Sequence, residues 1–305
     1  MPHPLSASSP LWIYALGVAL GCVVDAIVKG VTAEMAVSTL LAWRFFFGGG
    51  FAMAAYIHAR KPAPSWPAIR FHTFRATIQL LAAFLFFWAL TQRSLADVTV
   101  IGFTAALMLA PIARVVLGEK ITGLSIGAAL VGFAGATFAI SAETAGAPLG
   151  GNRALGAAAG FASAFLYALT LVLVRLRARE EDTLTIVTFT NVIGGLLLLP
   201  MTVWTLPGMD WSDFPVLVFL GALGTGVWFL FTIAYANAPA QRLAPIEYTS
   251  LIWAALLGAV FFGEVPGWQL YIGAVIIIAA CLLVAFESRF RTRSETSLPA
   301  SELPD

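Results

Sequence analysis

The sequence predicts an all-α integral membrane protein of ten transmembrane helices, arranged as two inverted five-helix repeats. Three observations predict it: an apolar composition, the spacing of the apolar runs, and an internal repeat. Of the 305 residues, 60% are apolar and 11% charged, with a mean hydropathy of +0.89. A soluble domain is about 25% charged, so these charges are too few to cover a water-facing surface, and a chain of this size folded in water would expose apolar patches and aggregate. The formal net charge of +1 lacks the basic footprint that nucleic-acid binding needs. Cys22 and Cys281 lie inside apolar runs near opposite ends of the chain, which reads as two buried small hydrophobes rather than a disulfide framework or a zinc site.

A bilayer-crossing helix needs about 20 mainly apolar residues. Runs of that kind, bounded by charge, Pro or Gly clusters, fall at 11–29, 35–57, 71–92, 95–117, 121–141, 154–176, 183–205, 213–237, 243–262 and 267–287. The first run has no Lys or Arg before it, so it reads as a retained helix and not a signal peptide. Residues 288–305 alternate Ser, Glu, Thr and Pro and have too little apolar content to fold, which predicts a disordered tail.

Cytoplasmic loops are enriched in Lys and Arg. With the N-terminus inside, Arg44 lies within a span, Lys29, Arg93 and Arg153 fall on the outer side, and the remaining thirteen of the seventeen Lys and Arg fall on the inner side. Both termini are therefore expected in the cytoplasm, as in a multi-pass protein of a bacterial inner membrane.

The repeat is read in chain order. Ala15-Leu16-Gly17-Val18-Ala19-Leu20-Gly21 returns as Ala154-Leu155-Gly156-Ala157-Ala158-Ala159-Gly160. Gly48-Gly49 returns as Gly194-Gly195, Phe86 and Ala89 as Phe231 and Ala234, Phe103-Thr104 as Tyr248-Thr249, Gly118-Glu119 as Gly263-Glu264, and Gly127-Ala128 as Gly273-Ala274. Each unit, 11–141 and 154–287, holds an odd number of spans, so the second enters the membrane from the opposite side. Two such units can exchange conformations and open a central site alternately to each side.

The stretches around Trp43-Arg44-Phe45, Gly118-Glu119-Lys120 and Gly263-Glu264, within two five-helix units, resemble the EamA-type drug/metabolite transporter superfamily over residues 11 to 287. Within it the chain is most similar to bacterial amino-acid and metabolite exporters, the aromatic amino-acid exporters included, rather than to four-helix multidrug proteins that must dimerise. That resemblance implies export of a small molecule by a monomer. It departs from the four-helix relatives in one respect: they carry a glutamate in mid-helix, and this chain has Asp25 nearer the outer end of its first helix. Their proton-antiport mechanism does not transfer directly.

Ionisable groups inside a bilayer are costly and are functional candidates by default. Asp25 and Lys29 stand four apart, so they can neutralise each other on one face. Arg44 lies roughly 14 Å into its helix at 1.5 Å per residue, nearly too deep to snorkel, and is expected to pair with Asp25, with backbone carbonyls or with a substrate carboxylate. Glu247, at the start of the ninth span, suits the positive helix end. Asp25, Arg44 and Glu247 are thus candidates for gating or coupling.

For substrate binding the candidates are Gln79, Thr104, Ser163, Tyr167, Trp228 and Tyr248. Asp97, Ile101, Thr104, Met108 and Pro111 form one stripe on the fourth helix, and such a stripe faces protein or a wet cavity. Gln79 shares a face with Ala83 and Phe86, and Ser163 with Tyr167; polar groups at that depth also serve as interhelical glue. Trp228, Tyr248 and Trp253 lie deep in their spans, whereas Trp12, Trp66, Trp204, Trp211 and Trp268 fall where an interfacial belt belongs. Gly17-x-x-x-Gly21, Gly123-x-x-x-Gly127 and Gly156-x-x-x-Gly160 are expected to bring helices close.

Gly123-Leu124-Ser125-Ile126-Gly127 matches a nucleophile-elbow string, but it opens a transmembrane helix instead of a strand-to-helix turn, and no histidine stands nearby in sequence. Neither a Walker loop nor a dinucleotide fingerprint occurs. The sequence therefore predicts a secondary transporter without enzymatic activity, cofactor or resident metal, whose partners are a small-molecule substrate and the lipid bilayer. Amino acids with apolar or aromatic side chains are the expected substrates. The alternatives are a multidrug or quaternary-amine exporter, a channel, or an intramembrane enzyme.

Overall fold

The computed structural model describes residues 9–118, 122–141, 145, 151–177, 183–237, 243 and 246–296. Its helices are α1 (Ser9–Val31), α2 (Val37–His58), α3 (Trp66–Gln92), α4 (Leu95–Leu117), α5 (Gly123–Ala139), α6 (Arg153–Arg177), α7 (Thr183–Leu197), α8 (Leu199–Thr205), α9 (Phe214–Asn237), α10 (Ser250–Phe262) and α11 (Trp268–Thr296). In lipid every backbone group must be satisfied within the chain, and helices do this segment by segment. Among the described residues extended pairing is confined to an isolated bridge between Ala145 and Val265.

Five helices, α1, α2, α3, α6 and α9, are long and apolar enough to cross a membrane. Counting the bent α4 (43°) and the bent pair of α7 and α8 (53°) as one span each gives seven. Three shorter apolar helices, Gly123–Ala139, Ser250–Phe262 and Trp268–Leu283, occupy the expected fifth, ninth and tenth positions. Ten spans were expected from sequence; length and apolarity establish five to seven.

Several boundaries differ from the sequence reading for local reasons. The third helix begins at Trp66 instead of residue 71 because Pro67 fits its first turn. Arg75, expected near the inner surface, is consequently buried between α3 and α7, donating to Ile186 O at 3.1 Å and to the Thr190 hydroxyl. The seventh span breaks after Leu197, since Pro200 in the first turn of α8 has no N–H to continue the ladder. Past residue 287 the last helix runs on to Thr296, ahead of Pro299. Residues 297–305 and Glu119 lie outside the described residues.

Most of the larger helix contacts keep their pattern when the two halves of the chain are exchanged, the α4–α5 contact lacking a comparable α10–α11 one among the described residues. α2 packs on α7, α5 on α11 and α4 on α10; the contact of α3 with α6 has its counterpart in α9 with α1, that of α2 with α9 in α7 with α3, and that of α4 with α6 in α10 with α1. Small residues set the closest approaches. A Cβ at Gly195 would lie 3.0 Å from Phe45 O, and one at Gly49 3.2 Å from Asn191 O. Gly17 abuts the Phe231 ring and Gly156 the Gln92 side chain in the same way. Gly123 and Gly127 do not: both are exposed with nothing within 4 Å, and α5 makes its close contacts further along, with Gly132 against Leu107 and Gly135 against Ile276 and Gly273 O. The expected packing role therefore holds for two of the three glycine pairs.

α4 and α10 end on Gly118 (φ 70°) and Gly263 (φ 64°), whose amides return to Arg114 O and Ala259 O. These are the described glycines with positive φ, a conformation that costs glycine least. They are also the two positions that the sequence repeat matches. Cys22 and Cys281 are buried and free, as expected.

Candidate functional site

At one end of the bundle the chain ties a charged knot. After the Gly263 cap the backbone turns, and Glu264 folds back so that its Oε2 accepts the Leu95 N–H at 2.8 Å, while Oε1 lies 2.7 Å from Lys29 Nζ. The carboxylate thus sits against the positive N-terminal end of α4. Lys29 also donates to Leu90 O (3.1 Å) and Arg93 O (2.5 Å), the carbonyls exposed where α3 ends. Arg93 reaches Asp97 at 3.2 Å and donates to Arg153 O and Ile140 O, both at 3.0 Å. The Ala145–Val265 bridge pins the connection before α6 to the one before α11 at the same end. The expected mutual neutralisation of Asp25 and Lys29 is not what the side chains do: Glu264 and two carbonyls offer Lys29 a fuller set of acceptors.

Asp25 instead lies within electrostatic reach of Arg44. Both are half-buried. The guanidinium is held by stacking, 5.1 Å from the Phe45 ring and 5.6 Å from the Phe87 ring, and it rests on Gly224, where a Cβ would come within 2.8 Å of Nη2. Its Nε has no hydrogen-bond partner. Unlike the knot, this pair is open: among the described residues neither side chain makes a hydrogen bond or a close ion pair.

A chain of aromatic contacts joins the two halves. Tyr167 on α6 meets Trp228 on α9 at 6.4 Å, although α6 and α9 are not packing partners. Trp228 stands 6.3 Å from Phe231, and Phe231 stands 5.0 Å from Tyr14 on α1. The Tyr14 hydroxyl donates to the Glu247 carboxylate, so Glu247 ties α1 to the segment preceding α10, where it was expected to serve the helix end. Tyr167, Trp228 and Phe231 are half-buried, and Tyr14 is buried.

The other expected site residues divide. Tyr248 packs edge-on against Phe103 at 5.2 Å, and the Cys281 thiol lies 4.0 Å from Phe103 O; Phe103 and Tyr248 are repeat-matched positions that meet. Ser163 donates to Ala82 O at 2.8 Å, joining α3 and α6. Thr104 is wholly buried, with its hydroxyl on Ile101 O of its own helix. Gln79 is buried on α3, its amide without a described hydrogen-bond partner. Along the α4 stripe Asp97, Ile101 and Thr104 are buried and Pro111 is exposed. Sequence reasoning missed Tyr14, Phe231, Phe87 and the Lys29–Glu264 pair. Helical spacing would have found Tyr14, eleven residues before Asp25 and so on the same face of α1.

A model of the EamA-like transporter family matches the chain twice, over residues 8–141 and 154–286. The chain belongs to the EamA-like transporter family. The two matched stretches meet where the sequence repeat divides, and EamA-like membership makes the protein a multi-pass membrane transporter of small metabolites rather than an enzyme. Among its relatives is the S-adenosylmethionine uptake transporter of Rickettsia prowazekii, 23% identical over 249 residues that cover 81% of this chain and 82% of the relative. The pseudopaline exporter of Pseudomonas aeruginosa is 22% identical over 274 residues, 86% and 91% of the two chains. The riboflavin transporter of Brucella anthropi is 26% identical over 220 residues, 69% and 74%. A protein of known crystal structure superposes with a TM-score of 0.64 over 93% of this chain and 99% of its own, at 21% identity, which shows the fold alone.

Proposed function

We propose that this EamA-like transporter exports zwitterionic amino acids with apolar or aromatic side chains through a cavity between two inverted five-helix halves, residues 11–141 and 154–287. The observation that carries this reading is the aromatic arc Tyr167–Trp228–Phe231–Tyr14, to which both halves contribute. Such rings accept an apolar side chain, and the helix contacts that survive exchange of the two halves support two related arrangements of the kind that alternating access needs. The interior holds few fixed charges, so a substrate that carries its own opposite charges is desolvated at lower cost than an ion. Gln79 and Tyr248 complete the proposed lining, with Thr104 and Ser163 holding its walls. The protein works as a monomer in a bacterial inner membrane, both termini cytoplasmic, and the charged knot closes the outer side.

Counterflow in proteoliposomes tests this, with a panel of amino acids, quaternary amines and sugar nucleotides, with and without a pH gradient. Saturable exchange of phenylalanine and leucine is expected. Robust movement of a quaternary amine without any amino acid would replace this reading by a multidrug one, which the aromatic arc beside Asp25 and Glu247 would also serve.

A further inference from the structure

The proposed function leaves open which groups hold the ionic end of the substrate. α1 and α9 pack in a fixed register: Gly17 lies against Phe231, and Gly21 against Val227. Continuing that register brings Asp25, one turn beyond Gly21, level with Leu223, the neighbour of Gly224 on which the Arg44 guanidinium rests. On α9 Gly224 and Trp228 stand four residues apart and so share a face, about 6 Å along the axis. The open charge pair is therefore one helical turn from the aromatic arc.

The remaining charge pairs described within the bundle are closed, Lys29–Glu264 at 2.7 Å and Arg93–Asp97 at 3.2 Å. Two opposite charges held apart in a membrane interior each retain a desolvation cost that contact would relieve. The guanidinium is fixed in orientation by Phe45, Phe87 and Gly224, with nitrogen donors unspent. The geometry points to Asp25 and Arg44 as the two poles of a zwitterion subsite, Arg44 taking the carboxylate and Asp25 the ammonium group of an α-amino acid whose side chain lies along α9 towards Trp228. This rests on the reading of the chain as an amino-acid carrier.

The test is competition against counterflow of labelled phenylalanine, with the full chain in phosphatidylethanolamine–phosphatidylglycerol vesicles. Phenylalaninamide lacks the carboxylate, and 3-phenylpropionate lacks the ammonium group. Each should need a roughly tenfold or higher concentration than phenylalanine for half-inhibition, because each leaves one intramembrane charge unpaired. Asp25→Asn should abolish the preference for phenylalanine over 3-phenylpropionate, and Arg44→Gln the preference over phenylalaninamide; a merely structural role would shift all three ligands together. Equal competition by all three in the unsubstituted protein overturns the subsite, as does a parallel shift in both variants, and the unsubstituted series decides if either variant fails to reach the vesicle. Movement of another metabolite with no amino-acid counterflow overturns the proposed function itself and the subsite with it.

Discussion

Lys29 and Glu264 stand 2.7 Å apart although 235 positions separate them, one near the end of the first helix and the other just past the tenth. Glu264 at the same time caps α4 through the Leu95 amide. An opening at this end has to part the pair. Glu264→Ala leaves a buried ammonium with two carbonyl acceptors but no counter-charge, at a cost of about 3–5 kcal/mol. We expect a lower melting temperature in detergent, and labelling by a membrane-impermeant maleimide of a cysteine placed at Ala96, which is buried here. A variant as stable and as unreactive as the parent would show that the pair closes nothing.

Glycine substitutions should separate contacts that matter from motifs that merely occur. Gly195→Val drives a side chain into the Phe45 backbone, and overpacking of this kind costs about 1–3 kcal/mol. Gly127→Val meets open space and should stay within about 0.5 kcal/mol of the parent. Thermal unfolding of the two purified variants checks this; equal losses would contradict the α2–α7 contact.

Trp228→Ala should raise the substrate concentration for half-maximal counterflow at least severalfold, because the ring sits between Tyr167 and Phe231. Trp253→Ala removes a ring of the same size that is 39% exposed and should leave that concentration unchanged. If the two variants behave alike, the aromatic arc is not the substrate wall.

Reporter fusions should place both termini on the cytoplasmic face. A periplasmic signal from a fusion after Asp305 would end the ten-span reading and the assignment of the knot to the outer side.

Composition and charge bias made the membrane class legible, and the repeat was legible because Gly118 and Gly263 need a backbone conformation that other residues resist. The candidate site was legible in part. Arg44, Trp228 and Tyr167 stood out because a charge or a large aromatic at mid-membrane depth is unusual in itself. Partners were harder to read. Asp25 and Lys29 satisfy the local four-residue rule on α1, yet Lys29 turns to a carboxylate on a remote segment, because α3 ends beside it with carbonyls unpaired. Local spacing reports what a side chain can reach along its own helix, and tertiary packing decides what it meets. The Gly123–Gly127 pattern misled for the same reason, since small residues permit a close approach without compelling one.

The discontinuity between α7 and α8 has a mechanical consequence. Below it Gly194 and Gly195 are wedged against Phe45 and Phe46, so α7 is stiffly clamped to α2. At Pro200 the intrahelical ladder already lacks a donor, so flexing there breaks one backbone hydrogen bond fewer than in a continuous helix. α8 is therefore a short lever on a compliant joint, its far end latched to α2 by the Trp43 indole, which donates to the Thr205 hydroxyl at 3.2 Å. Deformation of this part of the molecule concentrates at that joint and reaches α2 through the latch, while the clamped interface keeps its shape.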